Sequence, residues 1–265
     1  MPGLYLTAGM DLNISGIKIP LDGSESPPVT ATGRLDTWQH WLLVACDNVV
    51  LASAEEEKLH AAIAADDAAK GVALEAEFRP SMTALSACAF AIDAFYGTVV
   101  ERFGSHPDHA TWRKNRLARH KQIAETLRYR LKLKPTGMPT VRGFLRELFR
   151  FRDRAVHPEA KLSHPVYRAD MDAAVEPRFV TFSAAHARQA LGLTVELFVG
   201  MVPRVEAAAE GEVAKWAVFM AEQVEVVRWR AAQVPGVNVP AAIEAVPSYF
   251  PLKKSVVGDG HRRAP

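Results

Sequence analysis

Arg152 and His157 stand together at the end of the stretch FRFRDRAVHP, residues 149–158. On a helical wheel Phe144, Leu148, Phe151 and Ala155 form one stripe, and Leu145, Phe149, Arg152 and Val156 form the next. Arg146, Arg150, Asp153 and His157 form the polar side. Arg152 is therefore in line with three apolar residues. A guanidinium placed there loses water at least in part, which costs free energy unless a carboxylate or a phosphate meets it. His157 precedes Pro158, and the residue before a proline avoids helical angles, so the helix should end at the imidazole. The two groups are separated by about 7–8 Å of axial rise. That suits joint work on one phosphodiester: the arginine neutralises charge and the histidine moves a proton. Plainer roles stand beside these. Arg152 could bridge to Asp93, the out-of-pattern acid of an earlier helix, or carry its head to solvent. His157 could cap the helix dipole.

These residues need a scaffold, and the chain reads as an all-α antiparallel bundle with a small N-terminal β-hairpin. In MDLNISGIKIPLD, Met10, Leu12 and Ile14 alternate with polar residues, and Ile17, Ile19 and Leu21 alternate in the opposite phase. A two-residue turn at Ser15-Gly16 would restore the phase and pair Ile14 with Ile17. A Pro-rich linker covers residues 23–33, which closes an N-terminal unit at 1–34. Helical spacing then predicts a first helix over 36–69, with Asp36 as N-cap, Gly71 just beyond and a break near Ser53. A second opens near Arg79-Pro80 and stops at Gly104; a third covers 107–133. A fourth covers 140–157. A fifth starts after the cap Ser183 and reaches about Val202, bent or broken at Pro203. A sixth covers 210–233. The bundle should thus occupy 35–234, with residues 235–265 a poorly structured tail rich in Pro, Gly and basic residues.

Composition bounds the rest. The 265 residues are 49% hydrophobic and 23% charged, an ordinary balance for a soluble globular chain. The two cysteines, Cys46 and Cys88, both lie in apolar helical patterns, which suits reduced core thiols in the cytoplasm. No basic-then-apolar leader opens the sequence, and the apolar run at 84–100 is short and interrupted by Asp93, so neither a signal peptide nor a membrane span is expected. The net charge of +2 hides a strong asymmetry. Residues 36–77 hold nine acids against two bases, whereas residues 112–154 hold fourteen bases against three acids. Such a basic block suits a polyanion, with Arg113, Lys114, Arg146, Arg150 and Arg154 as candidate contacts; the alternative is that it docks on the acidic first helix. The block has few aromatics for base stacking, since Trp112 and Tyr129 fit core positions. His106, His109 and His120 make a weak metal set without a carboxylate array, and His164 fits a solvated loop. Nothing in the sequence asks for a cofactor.

At RDRAVH, residues 152–157, the chain resembles the HEPN superfamily (higher eukaryotes and prokaryotes nucleotide-binding domains) through its Arg-polar-x-x-x-His motif. SACAFAIDAFYGTVV, with Asp93, is similar to that family's first core helix, and VEPRFVTFSAAHARQAL to the return into its last. The resemblance extends over about 79–210. It implies a helical bundle that is commonly a homodimer, and a metal-independent endoribonuclease site shared between two copies. Carried onto this chain, it implies Arg152 as phosphate ligand, His157 as general acid/base, Asp153 as the group that orients them and Asp93 as an accessory partner. Family members without nuclease activity serve as dimerisation or RNA-binding modules, so the resemblance leaves that role open too.

Overall fold

Helical periodicity dominates the chain. A computed structural model describes residues 10–15, 30–62, 67–157 and 164–239. Strands β1 (Met10–Ser15) and β2 (Thr30–Leu35) come first, followed by helices α1 (Trp38–Ala62), α2 (Asp67–Phe103), α3 (His109–Lys114), α4 (Arg119–Arg130) and α5 (Met138–Val156). Then come β3 (Val166–Arg168), β4 (Ala173–Val175), α6 (Pro177–Thr181), α7 (Ala184–Ala208) and α8 (Glu212–Ala232). The long helix α2 packs against α1, α4, α5, α6 and α7, so it is the spine of the bundle. It is long and apolar enough to cross a membrane, yet most of that apolar window is buried against its neighbours.

The core forms where apolar stripes meet. Trp38 of α1 stacks on Phe198 of α7 at 5.0 Å, and Phe95 of α2 meets Phe198 edge-on at 5.0 Å. All three rings are buried, and such aromatic pairs add packing energy beyond their area. Cys46 and Cys88 are buried in the same core and free. Burial raises both thiols, Cys88 being pushed up to about 12, so neither is an available nucleophile.

Several boundaries differ from the sequence expectation, each for a physical reason. The tight turn at Ser15-Gly16 is not supported. β1 pairs antiparallel with β2, Met10 opposite Leu35 and Ser15 opposite Thr30, so the strand partner comes from the end of the stretch read as linker and the two residues after it. Ile17, Ile19 and Leu21 lie outside the described residues. Asp36 is not a helix cap: its buried carboxylate accepts from Trp216 Nε1 at 2.6 Å, from Thr98 Oγ1 at 3.2 Å and from Arg102 at 3.4 Å. The first predicted helix ends early, at Ala62, and α2 begins at Asp67, so Gly71 and Pro80 lie inside it. Pro80 deletes one ladder hydrogen bond, a loss that packing on five other helices outweighs. The third predicted helix is two, α3 and α4, because Arg116 adopts φ 52° and turns the chain between them. Pro203 does not end α7, which continues to Ala208. Packing persists past residue 235, where Val237 and Val239 lie against the core.

Other expectations hold. Gly104 ends α2 at φ 85°, the left-handed geometry that glycine adopts without strain. Ser183 caps α7, its hydroxyl accepting from the His186 N–H at 3.4 Å. α5 stops at Val156 with His157 as its C-cap.

Candidate functional site

Three helices bring one cluster together: α2 supplies Asp93, α4 supplies Arg119, and α5 supplies Arg152 and Asp153. The Arg152 side chain is 19% exposed. Its head lies over the Phe149 ring, with Cζ 4.5 Å from the centroid. Nε and Nη2 donate to Asp153 Oδ1 at 3.0 and 2.6 Å, and Nη1 lies 3.8 Å from Asp93 Oδ2. The anticipated meeting of Arg152 and Asp93 thus exists, but as the looser of two contacts. Asp93 Oδ1 is held by Arg119, from Nε at 2.7 Å and Nη2 at 2.6 Å. The Arg119 guanidinium also covers the Tyr96 ring at 4.3 Å.

Arg119 went unnoticed in the sequence, although the signal that singled out Arg152 applies to it. It stands in line with Ile123, Leu127 and Leu131 at helical spacing, all three buried. A second residue also belongs here. His120 of α4 feels the charges of Arg146 and Asp153 of α5. Partial burial lowers its pKa, and the positive charges of Lys121 and Arg146 act the same way against the pull of Asp153. The shift favours the uncharged ring.

His157 is placed differently. Its backbone N–H donates to the Asp153 carbonyl at 2.8 Å, closing the last turn of α5. The imidazole is exposed and makes no hydrogen bond or ion pair among the described residues. Five residues at about 100° each carry it some 140° around the helix axis from Arg152. One copy of the chain therefore gathers Arg152, Asp153 and Asp93, and leaves His157 on the rim of the helix end.

The basic block is not neutralised by the acidic first helix. Asp47 and Glu56 of α1 pair with Arg230 and Arg188, at 2.8 and 2.6 Å. Within the block, Arg128 and Arg142 converge on Glu125, at 2.9 and 2.5 Å. Burial alone would raise the Glu125 carboxyl, but the hydrogen bonds from these two arginines outweigh it and hold the pKa below the usual range. Arg146 and Arg150 share Glu147 at 3.3 and 2.9 Å, and Arg154 reaches Thr181 Oγ1 at 3.4 Å. Exposed pairs of this kind are weak and yield readily to phosphate. Arg113, Lys114 and Arg116 have no ion-pair partner among the described residues.

Two aromatics of the block are less buried than expected. Tyr129 is exposed, with Arg130 over its ring at 5.1 Å, and Trp112 is half-buried and stacked on His106 at 4.3 Å. His106 Nδ1 accepts from the Asp108 N–H at 3.1 Å, so this histidine organises a turn. The segment around His164, read as loop, carries the short antiparallel pair β3–β4 and one consequential residue, Arg168. Its guanidinium meets the fully buried Glu77 of α2 at 2.7 Å and Asp170 at 2.9 Å. His164 is exposed. No protein-family model, no curated protein and no solved structure matches the chain.

Proposed function

We propose that this chain is a HEPN-like, metal-independent endoribonuclease of the cytoplasm that acts as a homodimer. The observation that carries the proposal is Arg152: a largely buried guanidinium, set between two carboxylates at the end of α5, beside a surface rich in cations. In the reaction a ribose 2′-oxygen attacks the adjacent phosphorus, a 2′,3′-cyclic phosphate forms, and the bond to the 5′-oxygen breaks. Arg152 neutralises the non-bridging oxygens, in place of its bond to Asp153. His157 takes the 2′-OH proton or delivers one to the departing 5′-oxygen. Two such transfers are needed, and two copies supply two imidazoles. Asp153 orients the guanidinium before the phosphate arrives, and Asp93 holds it afterwards. The test is chemical: RNA cut in the presence of chelator should carry cyclic-phosphate and 5′-hydroxyl ends, and other ends would refute the mechanism.

A second reading draws on one specific observation. Both Nε and Nη2 of Arg152 already donate to Asp153, and His157 lies apart. That arrangement also suits a module that binds RNA or dimerises without cutting. It predicts salt-sensitive retention of RNA with no new ends.

A further inference from the structure

Two neighbouring cavities meet at Arg119. The first, about 450 Å³, is lined by His109, Arg113, Arg116, Arg119 and Gln122. It has three guanidiniums and no carboxylate in its wall. Like charges converging on one cavity repel, and an anion among them removes that cost. Of the three arginines in this wall, Arg113 and Arg116 have no ion-pair partner among the described residues, so their donors remain available. The second cavity, about 440 Å³, is lined by Trp41, Phe90, Asp93, Ala94 and Arg119. Trp41 is 37% exposed, and its ring lies 5.0 Å from Phe90. An aromatic wall beside a cluster of arginines is the composition of a single-strand site, in which bases stack and phosphates pair. The aromatic comes from α1, far in sequence from the basic helices.

We infer that these cavities together form a binding site for single-stranded RNA, with one base against Trp41 and Phe90 and the flanking phosphates on Arg113 and Arg116. Asp93 lines the base cavity, and its Oδ2 has no hydrogen-bond donor closer than the loose contact with Arg152. It can accept from an exocyclic amine of the base. The same carboxylate links the site to Arg152, so a strand held here leads toward the proposed reaction centre; to that extent the inference rests on the ribonuclease reading. A duplex does not fit the assignment, because its bases are stacked on one another and unavailable to Trp41.

The test uses the full chain and a labelled 2′-O-methyl oligo(A) of about twelve nucleotides, within the range of single-strand site sizes. This probe lacks the attacking hydroxyl, so binding is read apart from cleavage. Trp41→Leu should weaken binding roughly 5- to 150-fold, the range of one base–aromatic stack, and Trp41→Phe should restore most of it. The Arg113→Ala, Arg116→Ala double variant should lower the slope of log affinity against log salt by about 1.4. The matching duplex should bind more weakly than the single strand. Wild-type affinity and slope in these variants would overturn the assignment, whether or not the chain cuts RNA. A change of oligomeric state in Trp41→Leu with unchanged affinity would also overturn it, and would make Trp41 a contact between copies. Loss of binding in the variants alongside a wild type that never cleaves would uphold this site and refute the ribonuclease reading alone.

Discussion

Glu77→Ala should be among the most damaging single substitutions in the bundle. Glu77 is fully buried in α2, Arg168 is 5% exposed, and they meet at 2.7 Å. The carboxylate also accepts the Ala184 N–H at 2.8 Å, which anchors the start of α7. Removing it strands a guanidinium and a backbone donor in the interior. Breaking a buried ion pair from one side costs about 3–5 kcal/mol. Arg168 retains Asp170 and the Phe179 carbonyl, which places the loss near the lower end, about 3 kcal/mol. That is a large fraction of an ordinary domain stability of about 5–15 kcal/mol. Urea denaturation read by far-UV circular dichroism measures it. The double replacement Glu77→Leu, Arg168→Met removes both charges and should recover part of the loss, because paired apolar groups need no desolvation compensation while the Ala184 N–H stays unpaired. A Glu77→Ala loss below about 1 kcal/mol, the size of an exposed pair, would refute the reasoning. So would a double variant as unstable as the single one.

Four further outcomes follow from the packing and the titrating groups. Burial of Cys46 and Cys88 predicts that neither reacts with a thiol reagent until the chain opens, with both reacting in denaturant. Because the folded Cys88 thiol is pushed up to about 12 from 9.0, the unfolded chain loses its proton first. Stability should therefore fall as pH rises above about 9, by up to about 1.4 kcal/mol per unit for each thiol, and Cys88→Ala should flatten the fall. The lowered pKa of His120 works at the other end: below about 6.5 the unfolded state binds the extra proton, so stability drops with falling pH, less steeply in His120→Gln. A Cβ at Gly192 would lie 2.9 Å from the Asn238 carbonyl oxygen, so Gly192→Ala should displace the C-terminal strap and cost about 1–3 kcal/mol in thermal unfolding.

Much of the helical layout could be read from spacing, because α5, α7 and α8 carry apolar stripes bounded by real punctuation such as Ser183 and the His157-Pro158 step. Punctuation misled where tertiary packing overrode it. Pro80 looks like a boundary, yet α2 runs through it because its faces are covered there on several sides; it runs through Gly71 as well, on an exposed stretch. Arg116 carries no turn signature in its residue type, so the split between α3 and α4 was invisible. Arg152 and Asp93 were legible as out-of-pattern charges of opposite sign. The main partner of Asp93, Arg119, depended on how α4 crosses α2, which no local pattern encodes, whereas the partner of Arg152 is its chain neighbour Asp153. The Trp41–Arg119 cleft was hidden for the same reason: its aromatic wall lies on α1, outside the basic block. The Glu77–Arg168 pair joins a helix to a segment that reads as plain loop.

The most direct measurement is incubation of single-stranded RNA with the purified chain in excess chelator, beside His157→Ala and Arg152→Ala variants shown to be folded by circular dichroism. The account predicts cleavage by the wild type and a loss of roughly 10²- to 10⁴-fold in each variant. Cleavage that survives in the variants, or no cleavage by a wild type that binds the RNA, would contradict it.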